Sequence, residues 1–447
     1  MPETLRSRFA LPTALLIGVV TTLIYALYGW RQWHQLDIPS WDLGIFSQLA
    51  KAYSTFSAPV VSIKGEGFNL LGDHFHPILV VTGPLWRLWP SPIMLLVLQA
   101  VLFGLSAVPL TRLAVKRWGA PLGALLGAGY GLSWGLQSAV ASQFHEIAFA
   151  VPIIAFSLTN YLRGRILTAA LWMAALVFVK EDLGVTVAMF GLILAFRHRR
   201  TLRTVWIGAA LTLWGALWLL LTTVVILPAL NPHGQYDYTS RVGGIMGLLT
   251  PIDKWTTLGL LIMTAGVIGL RSPLILLMAP TIAWRAVGNI AAYWGWQWHY
   301  SAVLMPIAFA ALLEASEKWP RWRNVGLIAA LGATAVLSTS LPMMKLLDPA
   351  YHSPSPRWSA AQHAVESIPE NSTVMSNNPL LAYFVPTAEV YWVNTDNPAP
   401  EYFTVDETNN WEDWNTGLTV EAYAEKHFGG DYEPHFSEEG FTIVRRR

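Results

Sequence analysis

The 447-residue chain contains no cysteine. That excludes disulfides, thiolate metal sites and a thiol nucleophile, so any domain outside a membrane must be held by its core alone. Charge is scarce too: Lys, Arg, Asp and Glu make up 13% of the residues, where a soluble globular chain carries about 25%. With 53% hydrophobic residues, this deficit excludes an ordinary soluble protein and points to a polytopic membrane protein. The net charge is +1 and there is no basic tail or basic cluster with interleaved aromatics, so nucleic acid is not an expected partner. Internal repeats, low-complexity segments and the H-E-x-x-H zinc spacing are absent as well. The apolar run behind Arg6 and Arg8 is too long for a signal-peptide core and no A-x-A site follows it, so it reads as a first transmembrane helix that stays.

What is present is a series of apolar runs and 22 tryptophans, the latter suited to interfacial belts. A bilayer core needs about 20 apolar residues per helix. By that ruler there are about eleven transmembrane helices, near residues 11–30, 92–111, 120–140, 147–162, 166–179, 183–196, 204–228, 256–270, 273–290, 300–316 and 325–345. Lys and Arg cluster in alternate loops ("TRLAVKRW", "RHRRTLR", "EKWPRWR") on the side of Arg6 and Arg8, which makes that side cytoplasmic. With an odd number of helices the C-terminal part then lies outside. Residues 1–345 form the membrane domain, with a long first outer loop over 31–91. In that loop, Ile45, Phe46, Leu49 and Tyr53 recur at helical spacing, which suggests a segment lying in the membrane interface. Residues 346–447 change character. Helices are expected over 358–369 and 419–428, strands over 372–378, 388–394 and 401–407, and a closing strand or hairpin over 432–446. The result is a small extracytoplasmic α/β domain.

The polar residues that interrupt the apolar runs all fall on the outer side. Asp42 follows the first helix, and Asp73, His74 and His76 sit in "GDHFHP". His145 and Glu146 sit in "QFHE", Lys180, Glu181 and Asp182 in "VKED", and His299 and Tyr300 open "HYSAVL". Tyr236, Asp237, Tyr238 and Arg241 fill another outer loop. Taken singly, each has an ordinary reading as a solvated loop charge, a headgroup-level histidine or an interfacial aromatic. Their coincidence on one face is what independent ordinary readings do not predict, and ionisable groups at membrane segments are functional candidates by default.

The stretches "WDLGIFSQLA", "NLLGDHFHPIL", "LLVLQA", "QFHE", "VKEDLG" and "HYSAVLMPI", in that order, resemble the DUF2079 family of prokaryotic membrane proteins, which is similar to the GT-C membrane glycosyltransferases. The resemblance implies a GT-C-like membrane domain at the plasma membrane, with the N-terminus cytoplasmic. It also implies transfer of a sugar from a polyprenyl-phosphate donor to an extracytoplasmic glycan, lipid or protein acceptor. The acidic residue of the first outer loop maps to Asp42, as general base. Here it is followed by Leu43 and Gly44 rather than by a second acid, which leaves Asp73 as its rival. The leaving lipid phosphate needs positive charge, from Arg241, Lys64 or Arg285 or from a divalent metal such as Mg, Mn or Ca. Asp73, His74, His76, His145, Glu146 and Glu181 are the candidate metal ligands. The same histidines and Glu146, with Lys180, Glu181, Asp182, Arg241, His299 and Tyr300, are candidates to bind substrate. A transporter or flippase, and a non-catalytic envelope sensor or assembly protein, are the competing classes.

Overall fold

The computed structural model describes residues 3–38, 40–235, 250–394, 396–408 and 416–447. Helix α1 (Glu3–His34) is followed by α2 (Trp41–Ser54) and α3 (Thr82–Leu88) in the first loop, then by α4 (Pro92–Trp118). Ser91 caps α4 by accepting the Ile93 amide hydrogen, and Pro92 supplies its preset first turn. α1 and α4 cross at small residues: a Cβ on Gly104 would lie 2.0 Å from Thr22 Oγ1 and 2.4 Å from the Gly18 carbonyl. Only glycine permits this approach, which is how membrane helices gain packing without a hydrophobic driving force. The burial of the two helices differs in kind. In α4 72% of the apolar window is buried, against 28% in α1, whose Leu15, Leu16, Val19 and Leu23 are exposed. α4 is thus the centre of the bundle, and α1 presents an apolar outer face suited to lipid.

Four further helices follow: α5 (Ala120–Gly131), α6 (Trp134–Ala141), α7 (Ile147–Leu162) and α8 (Ile166–Ala174). After them come α9 (Leu183–Arg197) and α10 (Leu202–Leu221), the latter running through a wide π turn at Thr222–Ile226 into α11 (Leu227–Leu230). The last part of the bundle holds α12 (Ile252–Thr264), α13 (Ala279–Val287), α14 (Ala291–Trp294), α15 (Leu304–Lys318) and α16 (Arg323–Ala335). Among the described residues, three helices are long and apolar enough to cross a membrane: Arg8–His34, Pro92–Trp118 and Leu202–Leu230. A fourth span results if Ala291–Ser301 and Leu304–Lys318, bent by 66° at their break, count as one. The expected number of about eleven is therefore corrected. Hydropathy sums apolar residues whether or not they share one helix, and here the runs are broken. The 120–140 run divides between α5 and α6, while the 166–179 and 183–196 runs end either side of the Lys-Glu-Asp turn.

The C-terminal part is a five-stranded sheet in the order β2-β1-β3-β5-β4, from β1 (Thr373–Ser376), β2 (Glu389–Trp392), β3 (Tyr402–Asp406), β4 (Tyr432–Glu438) and β5 (Phe441–Arg446). β1 runs parallel to both β2 and β3, and the β4–β5 hairpin closes antiparallel onto β3. Helices α17 (Trp358–Glu366) and α19 (Val420–Phe428) accompany it, with a short α18 (Leu381–Phe384) that the sequence pattern did not announce. The sheet is joined to the first loop. Gln48 and Lys51 of α2 donate to the carbonyls of Val390, Val385 and Ala388 at 2.7–3.1 Å. Tyr383 stacks on Trp33 at 3.8 Å and donates to its carbonyl at 2.7 Å. Leu43 through Ala50 are all buried. The interfacial reading of this segment is therefore corrected: an interfacial helix keeps one face wet, whereas Leu43–Ala50 are buried on every side and only the ends of α2 are part-exposed.

Candidate functional site

Being clamped to the sheet fixes where the first turn of α2 points, and Asp42 lies in that turn. Its Oδ2 is 3.3 Å from His145 Nε2, and 46% of the Asp42 side chain stays exposed while His145 is buried. His145 lies in the tight turn between α6 and α7, where Gln143 adopts a left-handed conformation. Two contacts hold it there. Its backbone N–H donates to Gln99 Oε1 at 3.3 Å, and its Nδ1 lies 3.1 Å from the Gln143 carbonyl. A carbonyl only accepts, so Nδ1 carries a hydrogen, and the other nitrogen faces a carboxylate. Both ring nitrogens therefore suit protonation. Burial lowers the His145 pKa, but Asp42 and then Glu146 outweigh it and leave it above the ordinary histidine value. Gln99, which anchors this turn, was missed as a site residue. Its signal was a lone amide in the apolar "LLVLQA".

Next to this pair lie two ion pairs with a buried partner each. Lys180 Nζ contacts Glu146 Oε1 at 2.8 Å. Glu181 takes His74 Nδ1 on one oxygen at 2.7 Å and the Phe75 backbone N–H on the other at 3.0 Å. Burial alone would raise both carboxyls, but Lys180 with the histidines holds Glu146 far below the usual carboxylate range, and His74 with Lys180 lowers Glu181. His74 is raised in turn: burial and Lys180 oppose its charge, while Glu181 and Asp73 prevail. The loop that delivers His74 needs Gly72, because a Cβ there would lie 2.5 Å from the backbone of Leu230–Asn231. Asp73 pairs with Lys64 at 3.2 Å at the edge of the cluster. Asp182 is pushed up to about 6, chiefly by burial with Glu181 and Glu146 adding to it. His76 is pushed down to about 4 by burial.

His299 completes the centre by stacking on His145 at 3.6 Å, with Tyr300 beside it at 4.1 Å. Both lie at the break before α15. The structure thus brings together Asp42, Asp73, His74, His76, His145, Glu146, Lys180, Glu181, Asp182, His299 and Tyr300, through direct contacts and mutual charge effects. Arg285 borders the centre, its guanidinium 6.0 Å from the Tyr300 ring centroid, but its donors are engaged elsewhere. Arg285 is buried, and its guanidinium donates to the Tyr293 and Gly295 carbonyls at 2.6 and 3.0 Å and to Ser301 at 3.1 Å. It ties the loop ahead of His299 to α13 and has little left with which to hold a phosphate. Arg241, with Tyr236, Asp237 and Tyr238, lies outside the described residues.

Among the described residues no group of three or more His, Asp or Glu side chains is arranged to hold a metal ion. Four carboxylates already face cationic partners, and the Lys180 ammonium in their midst repels a second cation. Asp73, His74, His76, His145, Glu146 and Glu181, expected as ligands, lie near one another but form no such group among the described residues.

Residues 32–442 match the family described as predicted membrane protein, DUF2079. The chain belongs to the DUF2079 family. Every residue of the centre falls within the matched range. No curated protein matches the chain. Family and long apolar helices agree that this is a membrane protein.

Proposed function

We propose that this protein is a membrane glycosyltransferase that moves a sugar from a polyprenyl-phosphate donor to an extracytoplasmic acceptor, with Asp42 as general base. The observation that carries the reading is Asp42 itself: a carboxylate open to solvent, aimed by a buried histidine whose second nitrogen is tied to the backbone. In the step proposed, Asp42 takes the acceptor hydroxyl proton as that oxygen bonds to the anomeric carbon. The bond from that carbon to the donor phosphate breaks on the opposite face, its electron pair leaves with the lipid phosphate, and the sugar inverts. Lys180 and His74 supply positive charge near the departing phosphate, which is electrostatic help of the usual kind. In this reading the end of the bundle that carries Asp42 faces the outside of a prokaryotic plasma membrane, with the sheet domain over it.

The test is transfer from polyprenyl-phosphate sugars by the full chain in lipid nanodiscs. Asp42→Asn keeps shape and hydrogen bonding but cannot take the proton, and is expected to lose about 10²–10⁴-fold in rate with donor binding intact. Asp73→Asn, whose carboxylate is engaged by Lys64, is expected to lose far less. Chelator is expected to leave transfer unchanged. Near-normal transfer by the Asp42 variant would sink the assignment. The 66° break at the centre favours a second reading, since transporters place sites at broken helices. Movement of a lipid-linked substrate across liposomes without transfer decides for it.

A further inference from the structure

Beside the ion pairs, Lys180, Asp182, Thr281, Trp284, His299 and Tyr300 line a narrow cleft of about 20 Å³. Three of these residues carry a buried polar atom with no hydrogen-bond partner among the described residues: Asp182 Oδ1, Trp284 Nε1 and His299 Nδ1. Leaving a buried polar atom unpaired costs about 1–3 kcal/mol, and three such atoms belong to residues that line this one cleft. His299 is 7% exposed, so its ring is not satisfied by bulk water. Trp284 meets Tyr300 edge-on at 5.6 Å and Tyr293 at 5.3 Å, which fixes the indole that carries the free N–H.

The unpaired atoms also specify the guest. An indole N–H only donates, a carboxylate only accepts, and a histidine Nδ1 does either. An anion would meet the Asp182 oxygen. An ammonium would meet Lys180 and the indole N–H. A hydroxyl both donates and accepts, and a single one serves all three atoms: it donates to Asp182 and accepts from the indole N–H and from a protonated His299 Nδ1. The volume admits one hydroxyl of a ring rather than the ring itself. We infer that this cleft is a carbohydrate subsite, in which Trp284, Asp182 and His299 grip one hydroxyl of a sugar whose body lies outside the cleft. The assignment deepens the glycosyl-transfer reading and rests on it for the class of ligand. Trp284, which carries the specificity, has no signal in the sequence beyond being one tryptophan of many.

The experiment uses the full chain in nanodiscs, with D-glucose, D-mannose, D-galactose and D-arabinose as probes and saturation-transfer NMR as the readout. At least one sugar is expected to bind saturably. Trp284→Phe keeps the ring and removes only the N–H, and Asp182→Asn keeps the shape. Each is expected to weaken binding about 3- to 10-fold, the usual worth of one hydrogen bond, with a melting midpoint no lower than wild type. Trp322→Phe, at an exposed position, is expected to change nothing. The subsite is overturned if none of the sugars binds saturably, or if both cleft variants bind like wild type. The two readings fail separately. Transfer that is indifferent to both variants removes the subsite and leaves the transferase. Sugar binding that depends on both, with no transfer from any donor, removes the transferase and leaves the subsite.

Discussion

Replacing Lys180 by Met should unmask the cost of the buried Glu146 charge. The ammonium and the carboxylate are 2.8 Å apart, with side chains only 16% and 3% exposed. At that separation their attraction is about 6 kcal/mol for an effective dielectric of about 20. Part of it is offset by desolvation already incurred, and removing one partner of a buried pair typically costs about 3–5 kcal/mol. Glu146 keeps the weaker help of His74 and His145, so the lower end, about 3 kcal/mol, is expected. Without Lys180, the strongest influence holding it down, the carboxyl pKa rises. The variant's folded state then binds a proton more readily than the wild type's, and the penalty shrinks as pH falls from about 8 to about 5. Pairing Lys180→Met with Glu146→Leu should restore most of the loss, because an apolar pair of similar volume is often neutral. Reversible unfolding in mixed micelles, followed by circular dichroism at pH 5 and 8, measures all three variants. A single variant within about 1 kcal/mol of wild type at pH 8, or a double variant no better than the single, would refute the reasoning.

Three further outcomes follow from the same geometry. Asp182, raised to about 6, costs stability above pH 6 and none once neutral, so Asp182→Asn should gain about 1–3 kcal/mol at pH 8 and lose that gain below its ordinary range; equal stability at pH 8 contradicts it. His76, lowered to about 4, stays neutral in the folded state while the unfolded chain takes a proton. His76→Leu should therefore flatten the fall in stability between pH 6.5 and 4.5 by about 2–3 kcal/mol, as thermal melts at the two values will show. Gly104→Ala places a methyl 2.0 Å from Thr22 Oγ1; it should lower the melting midpoint, and adding Thr22→Ala should recover only part, since the Gly18 carbonyl at 2.4 Å remains.

Composition and local pattern determined a good deal by themselves. The shortage of charge established a membrane protein, and the quoted stretches established the family, because both are sums over residues that need no knowledge of who meets whom. The C-terminal strands fall within about two residues of where alternation and turn residues put them, since a strand announces itself within its own few positions. The interruptions of the apolar runs named nearly every member of the polar centre. Tertiary structure alone decided what those members do to each other. His74 finds Glu181 across 107 positions and Lys180 finds Glu146 across 34, and nothing in either motif says which cation takes which acid. Arg285 read as a free cation until the carbonyls of Tyr293 and Gly295 were seen around it. The number of continuous spans was likewise out of reach of hydropathy. Transfer into an apolar medium is favoured residue by residue, whereas the breaks at the Lys-Glu-Asp turn and before α15 lie where three other segments, at Asp42, Asp73–His76 and His145–Glu146, meet them.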